Sequence, residues 1–174
     1  MTDLLTHVLL AYAVLRIGGV AVDGVDGPVV VAGMAGAMTP DLTKIGILVN
    51  DAVVTDALGL PFSWFALHTV GGVAASAAIG AALVGAEHRR AAAGALLAGG
   101  ASHLVIDGML AKPGGVSDPL LWPLTWWRPP TPGLYRSTDV WPLLVAIGLA
   151  AAVWLANDGR LHRWFGNATD RLGE

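Results

Sequence analysis

The stretch Gly99-Gly100-Ala101-Ser102-His103-Leu104-Val105-Ile106-Asp107-Gly108 decides how the rest of this chain is read. It closes an apolar run that opens after Arg90. His103 and Asp107 are four residues apart, which places them on one face of a helix, and Ala95 and Gly99 extend that face. An imidazole and a carboxylate therefore stand at the end of a small-residue track along which another helix can approach closely. Polar groups deep in an apolar segment cost free energy unless they find partners, so this pair is the first candidate for a site.

Composition sets the class. The chain has 174 residues, enough for one domain. Only 13% are charged, against roughly a quarter in soluble domains. Hydrophobic residues make up 55%, and the mean hydropathy is +0.63. These values predict an all-α fold, a polytopic membrane helix bundle. A net charge of -3 points away from nucleic acid. With no cysteine, disulfides and thiolate metal sites are excluded, leaving His, Asp, Glu and backbone groups as ligands.

Working outward, the pattern predicts about five apolar helices: two short ones at 3–17 and 29–38, and three full spans at 62–85, 91–110 and 140–157. The first full span rests on thirty residues, Ala57 to Ala86, without Asp, Glu, Lys or Arg. It places His68 one to two turns inside its helix. Thr39-Pro40-Asp41 reads as a helix start with Thr39 as N-cap, and 42–60 as a surface helix and loop. Residues 111–139 form a Pro/Trp-rich loop, whose Trp122, Trp126 and Trp127 suit the headgroup layer. Asp139 reads as a cap on the last helix, and 158–174 as a polar tail. The whole, 1–174, is expected to be a single membrane-embedded domain without internal repeats.

Arg16, Arg89, Arg90, Arg160, Arg163 and Arg171 orient such a bundle by the positive-inside rule, which predicts an integral protein of a prokaryotic cytoplasmic membrane. Alternation of the spans then brings His7, Asp41, His68, His103 and Asp107 to one depth, at the outer face. By helical rise, His7 and His68 lie roughly 6 and 9 Å from the starts of their helices, and Asp107 and His103 roughly 5 and 11 Å from the end of theirs. The plain reading of each residue differs: a lone buried His can simply bond a neighbouring helix, and Asp41 can be a first-turn carboxylate. His-x-x-x-Asp alone is common; the shared depth is the stronger signal.

Three His and two Asp suit a divalent metal, zinc first, with manganese, iron and nickel also compatible. An open coordination position would lower the pKa of bound water toward about 7. Asp41 or Asp107 would orient that water or take its proton, or Asp107 would fix the His103 tautomer. The 111–139 loop is expected to fold over the cluster as a lid, bringing Trp122, Arg128 and Arg136 toward an anionic substrate. Anchoring at the bilayer surface explains the tryptophans equally well.

The chain resembles the YdjM-like inner-membrane proteins, a family described as metal-dependent hydrolases. The likeness rests on His7 in an early apolar helix, Pro40-Asp41 after a Gly/Ala-rich helix, His68-Thr69, and Ser102-His103 with Asp107 ahead of Leu120-Leu121-Trp122-Pro123. Two family features are altered: Thr43 stands where a second acid is usual, and Trp64 to Thr69 reads WFALHT without the usual Arg. The resemblance implies a membrane-bound hydrolase acting on a lipid or phosphodiester, by similarity to the His/Asp helices of zinc-dependent phospholipase C. Two other functions fit the residues: a non-catalytic membrane protein with a structural metal or polar cluster, and a proton or metal transport protein.

Overall fold

The computed structural model describes residues 4–19 and 24–157. The expected tail at 158–174, with its three arginines, and the start of the first helix at Asp3 lie outside the described residues.

Six helices follow in order: α1 (Leu4–Gly18), α2 (Gly27–Met38), α3 (Asp51–Leu58), α4 (Val70–Ala82), α5 (Arg89–Asp107) and α6 (Trp141–Asn157). Short 3-10 segments occupy Thr39–Ile47, Trp64–His68 and Pro113–Gly115. Among the described residues every regular element is helical. Isolated bridges between Leu110 and Tyr135 and between Val116 and Pro130 pin the long loop without forming a strand.

The all-helical character agrees with the sequence pattern, but the polytopic membrane bundle does not: no described helix is long and apolar enough to cross a membrane. The expected span at 62–85 is broken at Thr69, whose backbone is extended (φ -130°, ψ 163°). Its hydroxyl donates to Ala66 O (2.7 Å) and accepts from Gly72 N (3.0 Å). This cap satisfies an otherwise orphaned helix-start amide, so α4 begins at Val70 and has 13 residues, about 20 Å of helix against a hydrocarbon core of about 30 Å. His68 therefore precedes its helix and does not lie inside it. The described part of α6 has 17 residues. The 19-residue α5 is long enough, but it opens on Arg89-Arg90 and closes on His103 and Asp107. Thr39 is no N-cap either. The chain runs from α2 straight into the 3-10 turn, and the Thr39 hydroxyl bonds back to Ala35 O at 3.2 Å. Asp139 accepts from Arg136 N (2.8 Å), closing a turn ahead of α6.

α5 lies at the centre, packed on α2, α4 and α1, with α6 against the outer side of α1. The tightest approach joins α2 and α5. A Cβ on Gly99 would fall 1.8 Å from Gly33 O, and one on Gly36 would fall 2.2 Å from Leu96 O, so backbone meets backbone. The core is built from small residues such as Ala37, Ala77, Ala95 and Ala146, together with buried His7, Thr6, Thr69 and His103. Large apolar side chains, among them Leu48, Leu83, Leu124 and Trp126, are exposed. This apolar exterior is the unusual feature of the bundle.

Gly99→Val should lower the unfolding free energy by at least about 2 kcal/mol, because the helix pair must separate to admit the side chain. Gly94→Ala, where a Cβ meets nothing within 4 Å, should raise it by up to about 1 kcal/mol through helix propensity alone. Denaturant unfolding in one detergent compares the two, and a Gly99→Val protein as stable as its parent would refute the close approach.

Candidate metal centre

Asp107, in the last turn of α5, is where three imidazoles from three segments meet. His103, one turn earlier, has its Nε2 3.5 Å from Asp107 Oδ2. His7, from α1, places Nε2 3.3 Å from Asp107 Oδ1. His68, ahead of α4, places Nε2 3.0 Å from Asp107 Oδ2. The rings of His7 and His103 stack at 3.8 Å, and His68 meets His103 edge-on at 5.4 Å. His7, His103 and Asp107 form a group that could hold a metal ion, with one ligand atom of each within 4.8 Å of the others.

Local structure explains each placement. The α2–α5 approach brings the Ala37 carbonyl within 2.7 Å of His103 Nδ1. A carbonyl only accepts, so Nδ1 carries the proton. In the neutral ring Nε2 then keeps its lone pair. That atom is buried, has no hydrogen-bond partner, and faces a carboxylate. A lone pair and a carboxylate repel, so a positive charge is required between them: a proton or a metal ion. His7 and His103 approach different oxygens of Asp107, at 3.3 and 3.5 Å, and the three ligand atoms lie within 4.8 Å of one another, against roughly 3.4 Å between ligand atoms of a tetrahedral zinc at its usual bond lengths. The donor set and the orphaned nitrogen thus fit a divalent ion.

Burial alone would raise the Asp107 carboxyl, but the adjacent imidazoles of His103, His68 and His7 outweigh it and hold the group well below the usual carboxylate range. The Asp107 carboxylate therefore stays ionised. Its members differ in access: His103 and His7 side chains are 0% and 1% exposed, whereas His68 and Asp107 are 12% and 16%.

Asp41 stands outside the group. It pairs with Lys44 at 2.7 Å, and its second oxygen is buried without a partner. The 111–139 loop returns to this end of the bundle. Leu120 O accepts from Val70 N (2.8 Å), and the Tyr135 hydroxyl donates to Ile106 O (2.6 Å). Trp122 packs edge-on against Phe65, next to the His68 segment. Arg128 donates through Nε to Ser117 O (2.7 Å) and lies 4.0 Å from Asp118. Arg136 is exposed.

Asp118 is the residue that sequence reasoning passed over. Its Oδ2 lies 4.0 Å from His68 Nδ1, and it hydrogen-bonds Lys112. A loop has no periodicity to mark a residue as inward-facing; its position just ahead of Pro119-Leu120-Leu121-Trp122 was the one available signal.

The His103 tautomer is directly measurable. Long-range nitrogen–proton NMR of the full chain should show a protonated Nδ1, and zinc addition should move the Nε2 signal while the Nδ1 proton persists. A protonated Nε2 with a bare Nδ1 would contradict the Ala37 contact.

No curated protein and no solved structure matches the chain. The family model described as YdjM inner membrane protein matches residues 1–168. That match takes in α1 with His7, the His68 turn, α5 and the returning loop, and it associates the fold with a membrane. On this match over nearly the whole chain, the protein belongs to the YdjM inner membrane protein family.

Proposed function

We propose that this chain is a membrane-bound metal-dependent hydrolase acting on a lipid or another phosphodiester, with its site near the outer face of the membrane. The observation that carries the reading is the buried, unpartnered Nε2 of His103 facing the Asp107 carboxylate. His7, His103 and Asp107 would hold the ion, zinc being the first candidate for an all-N/O set. When bound, it would supply Lewis acidity and lower the pKa of water at the site.

The chain's own groups divide the remaining work. The Ala37 carbonyl holds the His103 ring in one tautomer, as outer partners of metal ligands do. Asp107 draws His7 and His68 toward a common point. His68, between Asp107 and Asp118, stands on the more open side, where a substrate oxygen can be reached. Lys112 and Arg128 favour an anionic group there, and Arg suits bidentate phosphate contact.

A second reading is a non-catalytic protein whose metal staples α1, α5 and the His68 turn. The near-complete burial of His7 and His103 favours it.

Metal analysis of the purified full chain, with a phosphodiester reporter and phospholipid vesicles as substrates, tests both. Stoichiometric divalent metal is expected, with affinity reduced at least about tenfold in His103→Ala and Asp107→Ala, since even outer-shell changes cost that much. Hydrolysis should be lost with the metal. Absence of metal in the wild type would overturn both readings, and bound metal without hydrolysis would leave the staple alone.

A further inference from the structure

Three aromatic rings border one small cavity beside the His68 turn. The cavity has about 320 Å³ and is lined by Ser63, Phe65, Pro119, Trp122 and Trp126. Trp122 stands in the middle. Its ring centroid is 6.3 Å from that of Phe65, with the planes at 75°, and 6.3 Å from that of Trp126, at 67°. The two outer rings are thus steeply inclined to the central one, and all three border the same space, as the walls of a box do. Phe65 belongs to the Trp64–His68 3-10 segment, where side chains three apart eclipse, so it shares a side of that segment with His68, roughly 6 Å along its axis. The box adjoins the metal centre without using any of its ligands.

The lining decides what can occupy it. Among the described residues no charged side chain borders the cavity. Asp118 precedes the lining Pro119, but Lys112 and Arg128 are both directed at that carboxylate, and Arg128 also donates to Ser117 O. Electrostatic attraction must then come from the rings, whose faces are negative, tryptophan being the strongest of them. An acyl chain gains nothing from the inclination of the rings and fills a long groove better than a box. A sugar or a primary ammonium brings hydrogen-bonding groups that need partners. The side chains here offer one hydroxyl, on Ser63, beside indole N–H groups that only donate. A cation without N–H groups fits this lining, its methyl groups against the walls and its charge before the π-systems.

We propose that Phe65, Trp122 and Trp126 form an aromatic cage for a quaternary ammonium group, carried by a choline-type lipid headgroup or by a free quaternary solute. The cage stands without the metal centre and without the hydrolase reading.

The test separates charge from shape. The full chain in an uncharged maltoside detergent is titrated with choline and with neohexanol, its neutral isostere, while nitrogen–proton NMR follows the indole signals of Trp122 and Trp126. Choline should bind at least about fivefold tighter than neohexanol, the difference that one cation–π contact makes. Trp126→Leu removes one wall at a position that is 71% exposed, where the fold makes few demands, and should weaken choline about fivefold while neohexanol changes little. Trp127→Leu, at the next position and 60% exposed but outside the cavity, should change neither. Circular dichroism and thermal unfolding establish that both variants fold. Doping the micelles with phosphatidylcholine separates the two sources: displacement of choline assigns the cage to the lipid headgroup, and retention assigns it to the free solute, both in keeping with an ammonium site. Equal affinity for choline and neohexanol, full choline binding by a folded Trp126→Leu protein, or an equal loss in Trp127→Leu would overturn the cage. Displacement of choline by phosphatidylethanolamine as effective as that by phosphatidylcholine would overturn its preference for a quaternary group.

Discussion

The contact between the backbones of α2 and α5 is the constraint from which the site follows. Gly33, Gly36 and Gly99 let the two helices approach until carbonyl oxygens occupy the space that a methyl group would need. At that separation the Ala37 carbonyl, at the end of α2, reaches His103 Nδ1. A buried imidazole held by one nitrogen presents the other at a fixed angle. The packing of small residues and the direction of the imidazole lone pair are thus one structural fact. Leucines at these positions would have produced a thicker, more conventional interface and left His103 without its partner.

Asp107 depends on that geometry. One carboxylate takes His7 on one oxygen and His68 and His103 on the other, joining α1, the turn before α4 and α5. Its negative charge persists despite burial because the imidazoles compensate the lost hydration. The second acid, Asp118, stands farther out and 32% exposed, and its charge is tied to Lys112 and Arg128. The site therefore grades from a sealed interior of His7 and His103 to a charged mouth, and the loop supplies the mouth.

The distribution of side chains accounts for the composition. Alanine, glycine and polar residues make up much of the interior, with a few larger ones such as Val30, Val73 and Leu104, while many leucine, isoleucine, valine and tryptophan side chains lie outside. High hydropathy came from the surface of the bundle, and for that reason it overstated the length of the helices. Thr69 shows the mechanism: a hydroxyl that bonds both Ala66 O and Gly72 N ends one segment and starts another without any charge or proline to announce it. An apolar exterior is in keeping with a family of inner membrane proteins, although no described helix is long and apolar enough to cross a membrane.

The sequence by itself determined the helical class, the family, and the pairing of His103 with Asp107, because four-residue spacing on a helix is a local property. It also singled out His7 and His68 as buried polar groups in apolar surroundings, which have few uses other than to meet each other. Only the tertiary structure decided what they meet. Asp41, level with them in a schematic of alternating spans, is turned to Lys44 because the chain enters a 3-10 turn directly from α2. Asp118 and the Ala37 carbonyl enter the site through a loop return and a helix crossing, and neither leaves a periodic trace. Spacing along one helix fixes angles between its own side chains; distances between separate segments depend on how closely the backbones pack, and here a few glycines set that distance.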